Sequence, residues 1–455
     1  MNLDKIHSVY FVGIGGIGMS AIARYFHAIG KTVAGYDKTQ TVLTDKLESE
    51  GIKIHFDDNI NNIENEFTNK ETTLIVYTPA IPSTNKELNY FIDNNLTVVK
   101  RAEVLGIITN DLESIAVAGT HGKTSISTIT AHLIHNSKTK CSAFLGGISK
   151  NFNSNLVISK ESKVAVVEAD EFDRSFLHLH PKIAVISSMD ADHLDIYGNA
   201  NELERSFVEF ASQVKKDGYL LIKDGLEIEL SDGIKKYTYA VNSSADFNAN
   251  NIRYENNIQV FDLETPFGKI KNLELGIPGI INIENSVVAI AASLLSGVSV
   301  AEIKKSLPNF KGVKRRFDYI INTSNLVYID DYAHHPEELR ATISSVRKLY
   351  PEKKITGIFQ PHLFSRTKDF YIDFAKSLDL LDEIILLDIY PAREKPMQGV
   401  TSEIIYNEIK NQNKILCTKE NLIEVLSNKN VEVLLTLGAG DIDTKVYEIK
   451  DLLEK

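Results

Sequence analysis

Two glycine-bearing stretches hold the residues best suited to gripping phosphate. The first is VYFVGIGGIGMSAIARYF, residues 9–26, in which Gly13, Gly15 and Gly18 have the G-x-G-x-x-G spacing and Gly16 adds a fourth glycine. An apolar run precedes the glycines and a helical pattern follows. In that setting the glycines let the backbone approach a pyrophosphate, and the helix N-terminus offers free N–H groups and the positive end of its dipole. Asp37 closes the next apolar run, 19 residues after Gly18, where an acid for a ribose hydroxyl belongs. NAD and a UDP-sugar both present a ribose and a diphosphate, so the motif leaves the choice between them open. The second stretch is SIAVAGTHGKTSISTITAHLI, residues 114–134, with a core of Gly119, Thr120, His121, Gly122, Lys123 and Thr124, followed by Ser125. It is a shortened phosphate loop, since Val117 stands where the full G-x-x-x-x-G-K-[ST] pattern has glycine. Its backbone N–H groups suit phosphates, Lys123 suits the β and γ oxygens, and the Thr124 hydroxyl suits Mg²⁺. Two such loops in one chain fit a dehydrogenase poorly. They fit one place for a nucleotide-linked substrate and another for ATP.

Acids and histidines recur just after apolar runs. Glu168 ends VAVVE and is the expected Mg²⁺ carboxylate; Asp170, Glu171 and Asp173 follow it, suited either to substrate hydroxyls or to solvent. Asp190, Asp192, His193 and Asp195 cluster after the run 182–186, which points to contact with a metal or a reacting group. Asp330 and Asp331 close another run, with His334 and His335 before Pro336. Adjacent histidines without a nearby cysteine fit hydrogen bonding to a substrate better than zinc. His362 and Arg366 follow the run 355–359, and arginine's planar fork suits a carboxylate. Lys311, Lys314, Arg315 and Arg316 form either a solvated basic turn or a clamp for a γ-phosphate.

These residues need rigid rims to hold them. Short β-branched runs at 8–12, 32–36, 73–77, 114–118, 163–167, 182–186, 326–330, 355–359, 383–387 and 431–437 alternate with helical patterns at 19–29, 123–136, 201–213, 283–296, 336–349, 369–379 and 443–454. Continuous apolar strands separated by helices predict parallel sheets covered on both faces, with ligands at the carboxyl ends of the strands. The more polar stretch 217–275, rich in turn signals, predicts a meander of antiparallel strands. Breaks near 107–113 and 311–318 divide the 455 residues into domains 1–108, 109–313 and 314–455.

The bulk properties narrow the class further. A formal net charge of −11 argues against a protein that coats nucleic acid. Two cysteines, Cys141 and Cys417, cannot build a disulfide framework and fit a reducing cytoplasm. The N-terminal stretch has no signal-peptide pattern, and no run approaches 18 apolar residues, so no membrane insertion is expected.

The stretches GIGGIGMSAIA, GTHGKT, VVEADEFDRSF, MDADHLDIYGN, KRRFD, DDYAHHPEEL, FQPHLFSRT and LTLGAGDI together resemble the Mur ligase family, from residue 8 to the C-terminus. The resemblance implies an α/β protein of three domains: a Rossmann-like N-terminal domain for the UDP portion, a central P-loop ATPase-like α/β domain with antiparallel strands, and a C-terminal Rossmann-like domain that admits an amino acid. It implies ligation of L-alanine to the lactyl carboxylate of UDP-N-acetylmuramate through an acyl phosphate, with ATP and Mg²⁺ required and the domains closing on their ligands. Gly119 to Ser125 would hold ATP phosphates. Thr124, Glu168 and His193 would bind Mg²⁺. Asn282 and Asn285 would contact adenine, Asp331 the ribose and Arg316 the γ-phosphate. His334 and Arg366 would line the alanine pocket, and Gly13, Gly15, Gly16, Gly18, Asp37 and Asp173 would serve the UDP-sugar. Ile281 stands where relatives often carry histidine, and Leu363 where some carry arginine. Val208 occupies the place of a carbamylated lysine in sister ligases, so no such modification is expected.

Overall fold

The computed structural model describes residues 1–190, 194–230, 232–255, 258–392 and 394–454. Among these residues the chain forms three sheets, of five, ten and six strands. By contacts it divides into two compact units: Met1–Ile277 with Ile283–Lys311, and Pro278–Asn282 with the chain from Gly312 onward.

The first sheet is wholly parallel, in the order Lys53–His55, Thr32–Tyr36, Ser8–Val12, Thr73–Tyr77, Thr97–Lys100. All five residues of Ser8–Val12 are buried, as a strand covered on both faces requires. The helix Ile17–Ala28 follows the glycine loop and packs Met19, Ile22, Ala23 and Phe26 inward.

The second sheet belongs to the same unit. Its parallel core runs Tyr219–Lys223, Ile183–Ile186, Glu113–Ala118, Val164–Glu168, Ser142–Ser149. The expected antiparallel meander over 217–275 is only partly correct. Tyr219–Lys223, Lys235–Val241 and Phe247–Glu255 pair in parallel, and only Phe247–Glu255, Ile258–Thr265 and Gly268–Leu275 run antiparallel. For the first of these parallel pairs the reason lies between Lys223 and Lys235, where buried Ile228 and partly buried Leu226, Leu230 and Ile234 pack on the main core.

One hydrophobic core serves both sheets of this unit, with Phe11, Ile22 and Phe26 in the same cluster as Phe144, Phe176 and Phe207. Phe176 meets Phe207 edge-on at 5.3 Å and stacks on Phe210 at 5.0 Å. Each such ring contributes about 2–3 kcal/mol by burial. Polar contacts fix the register. Asn155 is fully buried and donates through Nδ2 to the Ile17 carbonyl at 2.6 Å and to Ser20 Oγ at 2.9 Å, while its Oδ1 accepts from Arg24.

The second unit holds the third sheet, ordered Asp318–Asn322, Val327–Asp331, Val433–Leu437, Ile355–Phe359, Glu383–Leu387, Lys414–Cys417. Only the edge strand Asp318–Asn322 is antiparallel. The helix expected over 369–379 spans Phe364–Leu378. Glu394, distant in sequence, accepts from the Ser365 N–H at 3.0 Å and satisfies the early helix end, so no local signal marked it.

Asn155→Ala removes three buried hydrogen bonds and leaves the Arg24 guanidinium short of an acceptor. It is expected to destabilise this unit by roughly 2 kcal/mol, read as a lower midpoint in urea unfolding followed by circular dichroism.

Candidate active site

The second glycine loop sits between the strand Glu113–Ala118 and the helix Lys123–His135. Gly119 has φ +129°, and a Cβ there would lie 2.2 Å from Ser187 Oγ and 2.8 Å from the Ser188 N. Gly122, at φ +82°, caps the helix in the left-handed region. Serines from the neighbouring strand end brace the loop. Ser188 Oγ accepts from the His121 N–H at 2.8 Å and lies 2.8 Å from Thr120 Oγ1, while Ser187 Oγ donates to the Ala118 carbonyl at 3.2 Å. Sequence reasoning assigned these serines no role. Their signal was their place directly after the apolar run 182–186.

Three functional groups converge on this loop. Lys123 Nζ donates to the Gly119 carbonyl at 2.8 Å and lies 2.9 and 2.8 Å from the two Glu171 carboxylate oxygens. Burial alone would lower the Lys123 pKa, but Glu171, Asp170 and Glu168 outweigh it and push it above its ordinary value. Thr124 Oγ1 donates to Glu168 Oε1 at 3.2 Å. Glu168 Oε2 accepts from the Gly146 N–H at 3.2 Å, and a Cβ on Gly146 would overlap that carboxylate at 2.2 Å. Glu171 is therefore the partner of the loop lysine, a role its neighbours in the acid-rich loop did not announce. His121 Nε2 lies 3.2 Å from Asp190 Oδ2. The expected metal residue His193 lies outside the described residues, as does Asp192. Among the described residues no group of three or more His, Cys, Asp or Glu forms a metal cluster. The hard oxygens of Thr124 and Glu168 nevertheless fit Mg²⁺, which takes one or two protein carboxylates beside phosphate oxygens and waters. Asn285 is buried, with Oδ1 3.1 Å from where a Gly122 Cβ would stand.

In the first glycine loop, Asp37 Oδ2 accepts from the Gly15 N–H at 2.7 Å, and Oδ1 accepts from the Thr39 N–H at 3.1 Å. The acid thus rests on one of the loop N–H groups, that of Gly15, which an anion would meet. Gly13, at φ +90°, donates its N–H to the Tyr36 carbonyl at 2.7 Å. Gly16 is exposed at the helix N-cap. Asp173 accepts from Lys100 Nζ at 2.9 Å, and Asp170 from Arg101 Nη2 at 3.3 Å. These two pairs tie the rim of the first sheet to the acid loop of the second.

In the second unit, Asp331 is buried at the end of its strand. Its Oδ2 accepts from the Phe317 N–H at 2.7 Å and its Oδ1 from the Ala333 N–H at 2.8 Å. Phe317 and Arg315 adopt left-handed φ of +47° and +62°, so the carboxylate pins a strained turn. That turn is not simply solvated. Arg315 faces inward, to the Gly438 carbonyl at 2.6 Å and Asp330 at 3.5 Å, while Arg316 lies over the Tyr332 ring at 4.8 Å. Asn282 donates through Nδ2 to the Pro278 carbonyl at 3.0 Å. The His334 ring packs edge-on against His362 at 5.9 Å, and the His334 backbone N–H donates to Glu338 Oε2 at 3.0 Å. Arg366 is buried on the helix Phe364–Leu378, whose N-cap Leu363 has φ +70°.

Three sheets in α/β arrangement, with two glycine loops of phosphate-binding type on separate strand-to-helix turns, define an α/β protein of the phosphate-loop class. Residues 8–112 match the Mur ligase family catalytic domain, 117–293 the Mur ligase middle domain and 315–440 the Mur ligase glutamate ligase domain. The chain belongs to the Mur ligase family. It is 51% identical to the UDP-N-acetylmuramate–L-alanine ligase of Phocaeicola vulgatus over 458 residues, covering 100% of both chains. It is 52% identical to the ligase of that name from Parabacteroides distasonis over 457 residues, covering 100% of this chain and 99% of the other. Among solved structures, the UDP-N-acetylmuramate-alanine ligase of Thermotoga maritima superposes with a TM-score of 0.82 at 26% identity, covering 98% and 99% of the two chains. A murein peptide ligase from Psychrobacter arcticus shares the fold, with a TM-score of 0.70 at 20% identity over 98% of each chain.

Burial pushes the Asp331 carboxyl up to about 6, despite Arg316 and two backbone N–H donors that favour its charged form. The folded chain then holds a proton that the unfolded chain releases at about pH 4, so stability falls as pH rises between about 4 and 6. Asp331 alone is expected to contribute a loss of roughly 2–3 kcal/mol. Amide hydrogen exchange of the strand Val327–Asp331 in that window checks this, and Asp331→Asn should flatten the dependence.

Proposed function

We propose that this chain joins L-alanine to the lactyl carboxylate of UDP-N-acetylmuramate while ATP becomes ADP and phosphate, a step in making peptidoglycan precursors. The full-length likeness to ligases of that name supports it. The observation that carries it is the loop 119–125, where the Lys123 ammonium, the Thr124 hydroxyl and the Glu168 carboxylate meet, in a chain that has a second glycine loop of a different type.

A carboxylate resists attack by an amine at neutral pH, because its oxide is a poor leaving group. Attack of the lactyl carboxylate on the γ-phosphorus forms an acyl phosphate and releases ADP. The alanine amine then attacks the acyl carbon, loses a proton and expels phosphate from the tetrahedral intermediate. The protein's part is positioning and charge neutralisation. Lys123 exchanges part of its contact with Glu171 for β and γ oxygens, and the N–H groups of Gly119 to Ser125 cradle the phosphates. Thr124 and Glu168, with His193, would hold Mg²⁺, which when bound neutralises phosphate charge. Asn282 and Asn285 serve adenine, and Arg316 the γ-phosphate. Asp331 keeps a second lone pair on each oxygen for ribose hydroxyls. Arg366 pairs with the alanine carboxylate, beside His334. Gly13, Gly15, Gly16, Gly18, Asp37 and Asp173 serve the UDP-sugar. These roles are distributed over domains 1–108, 109–313 and 314–455 of a cytoplasmic enzyme. Among the described residues no helix is long and apolar enough to cross a membrane.

The test is phosphate release with UDP-N-acetylmuramate and ATP, screened over single amino acids. L-alanine should give the highest rate, and Lys123→Ala should lower it by at least about a hundredfold. Phosphate release with none of the amino acids, or near-normal turnover by the variant, would sink the assignment. Reduction of NAD at 340 nm in its place would restore the dehydrogenase reading of the first loop.

A further inference from the structure

Arg101 opens the helix Arg101–Thr109 directly after the strand Thr97–Lys100, so it stands on the carboxyl rim of the first sheet. Its guanidinium lies against Gly18, in the first turn of the helix Ile17–Ala28. A Cβ built on Gly18 would come within 2.4 Å of Nη1 and 3.3 Å of Cζ. Here the third glycine of the fingerprint makes room for an arginine as well as for a ligand.

The charges at this spot are unbalanced. The first turn of a helix carries the positive end of its dipole and unpaired N–H groups, which disfavours a neighbouring cation. The Arg101 side chain is only 20% exposed, so water screens that conflict poorly. A guanidinium has five N–H donors, yet among the described residues Arg101 makes one hydrogen bond, a long one of 3.3 Å from Nη2 to Asp170 Oδ2. A ligand with two or more anionic oxygens would satisfy both the remaining donors and the helix end.

We infer that Arg101 binds the diphosphate of the UDP-linked substrate and sets its position on the first glycine loop, with Asp170 holding the guanidinium ready when no ligand is bound. The inference rests on the proposed function, since the ligand is that reaction's substrate. It adds a residue that the glycine fingerprint does not contain. Asp170 also stands between Glu168 and Glu171, so the arginine that grips one substrate is bonded to the loop that faces the other.

The test is calorimetric titration of the full chain, without ATP, using UDP-N-acetylmuramate and UDP, with uridine measured by competition. Arg101→Gln is expected to weaken UDP-N-acetylmuramate and UDP by about 10–100-fold and leave uridine unchanged, because a charge-assisted bidentate contact is lost. Arg101→Lys should recover part of the loss. Asp170→Asn, which frees the guanidinium, should bind UDP at least as tightly as the parent. In turnover, Arg101→Gln should raise KM for UDP-N-acetylmuramate and leave KM for ATP and L-alanine alone. Circular dichroism melting establishes that each variant is folded. Three results would overturn the inference: Arg101→Gln binding UDP like the parent, equal losses for UDP and uridine, or Asp170→Asn losing as much as Arg101→Gln, which marks a merely structural clasp. If the parent chain itself fails to bind UDP-N-acetylmuramate, the functional reading falls instead.

Discussion

The ammonium of Lys123, sunk into the turn between strand and helix, is the charge around which the central sheet is arranged. Burial would strip its proton, and three carboxylates on the adjoining strand end prevent that. Three acids close together are themselves costly unless each has its own partner. Glu168 has Thr124 and the Gly146 N–H, Glu171 has Lys123, and Asp170 has Arg101. Tyr197 helps by donating its hydroxyl to the Glu171 carbonyl at 2.5 Å.

This requirement explains why the first and second sheets share one core. Arg101 and Lys100 leave the last strand of the first sheet and reach Asp170 and Asp173. Asn155 answers from the edge of the second sheet, onto the helix that follows the first glycine loop. A shift of one sheet would leave the buried Asn155 amide and Arg24 guanidinium short of partners, and each such loss costs about 1–3 kcal/mol. The first glycine loop and the acid loop are accordingly held in one unit, whose hydrophobic cluster runs from Phe11 to Phe207.

The second unit solves a similar problem with the opposite sign. Asp330 and Asp331 end a strand deep enough that burial pushes both carboxyls up to about 6. Arg315 and backbone N–H groups gather around them and force two non-glycine residues into left-handed backbone. The basic stretch 311–318 reads in the sequence either as a clamp for a γ-phosphate or as a solvated charged turn. Once folded it is a strained one, because a buried carboxylate recruits whatever donors are nearest.

Much of this was legible without coordinates, and for identifiable reasons. Strand positions follow from continuous apolar runs, and both glycine loops follow from glycines at positions such as Gly13, Gly119 and Gly122, whose positive φ other residues rarely adopt. Lys123, Thr124 and Glu168 were legible because a phosphate loop and the next strand end must share one rim in a parallel sheet. What stayed hidden depends on contacts between segments far apart in the chain. The parallel pairing of Tyr219–Lys223 with Lys235–Val241 turns on where Ile228 packs, and the early start of the helix at Phe364 turns on Glu394. Glu171 as the lysine's partner and Ser188 as the brace of its loop follow from side-chain direction, which loop residues do not encode locally. The residue types and spacings by themselves determined that this chain would place two glycine loops of phosphate-binding type on separate strand-to-helix turns. Only the tertiary structure decided which acid pairs with which cation, since each pair joins side chains from elements far apart in the chain, as Lys123 joins Glu171 and Arg101 joins Asp170.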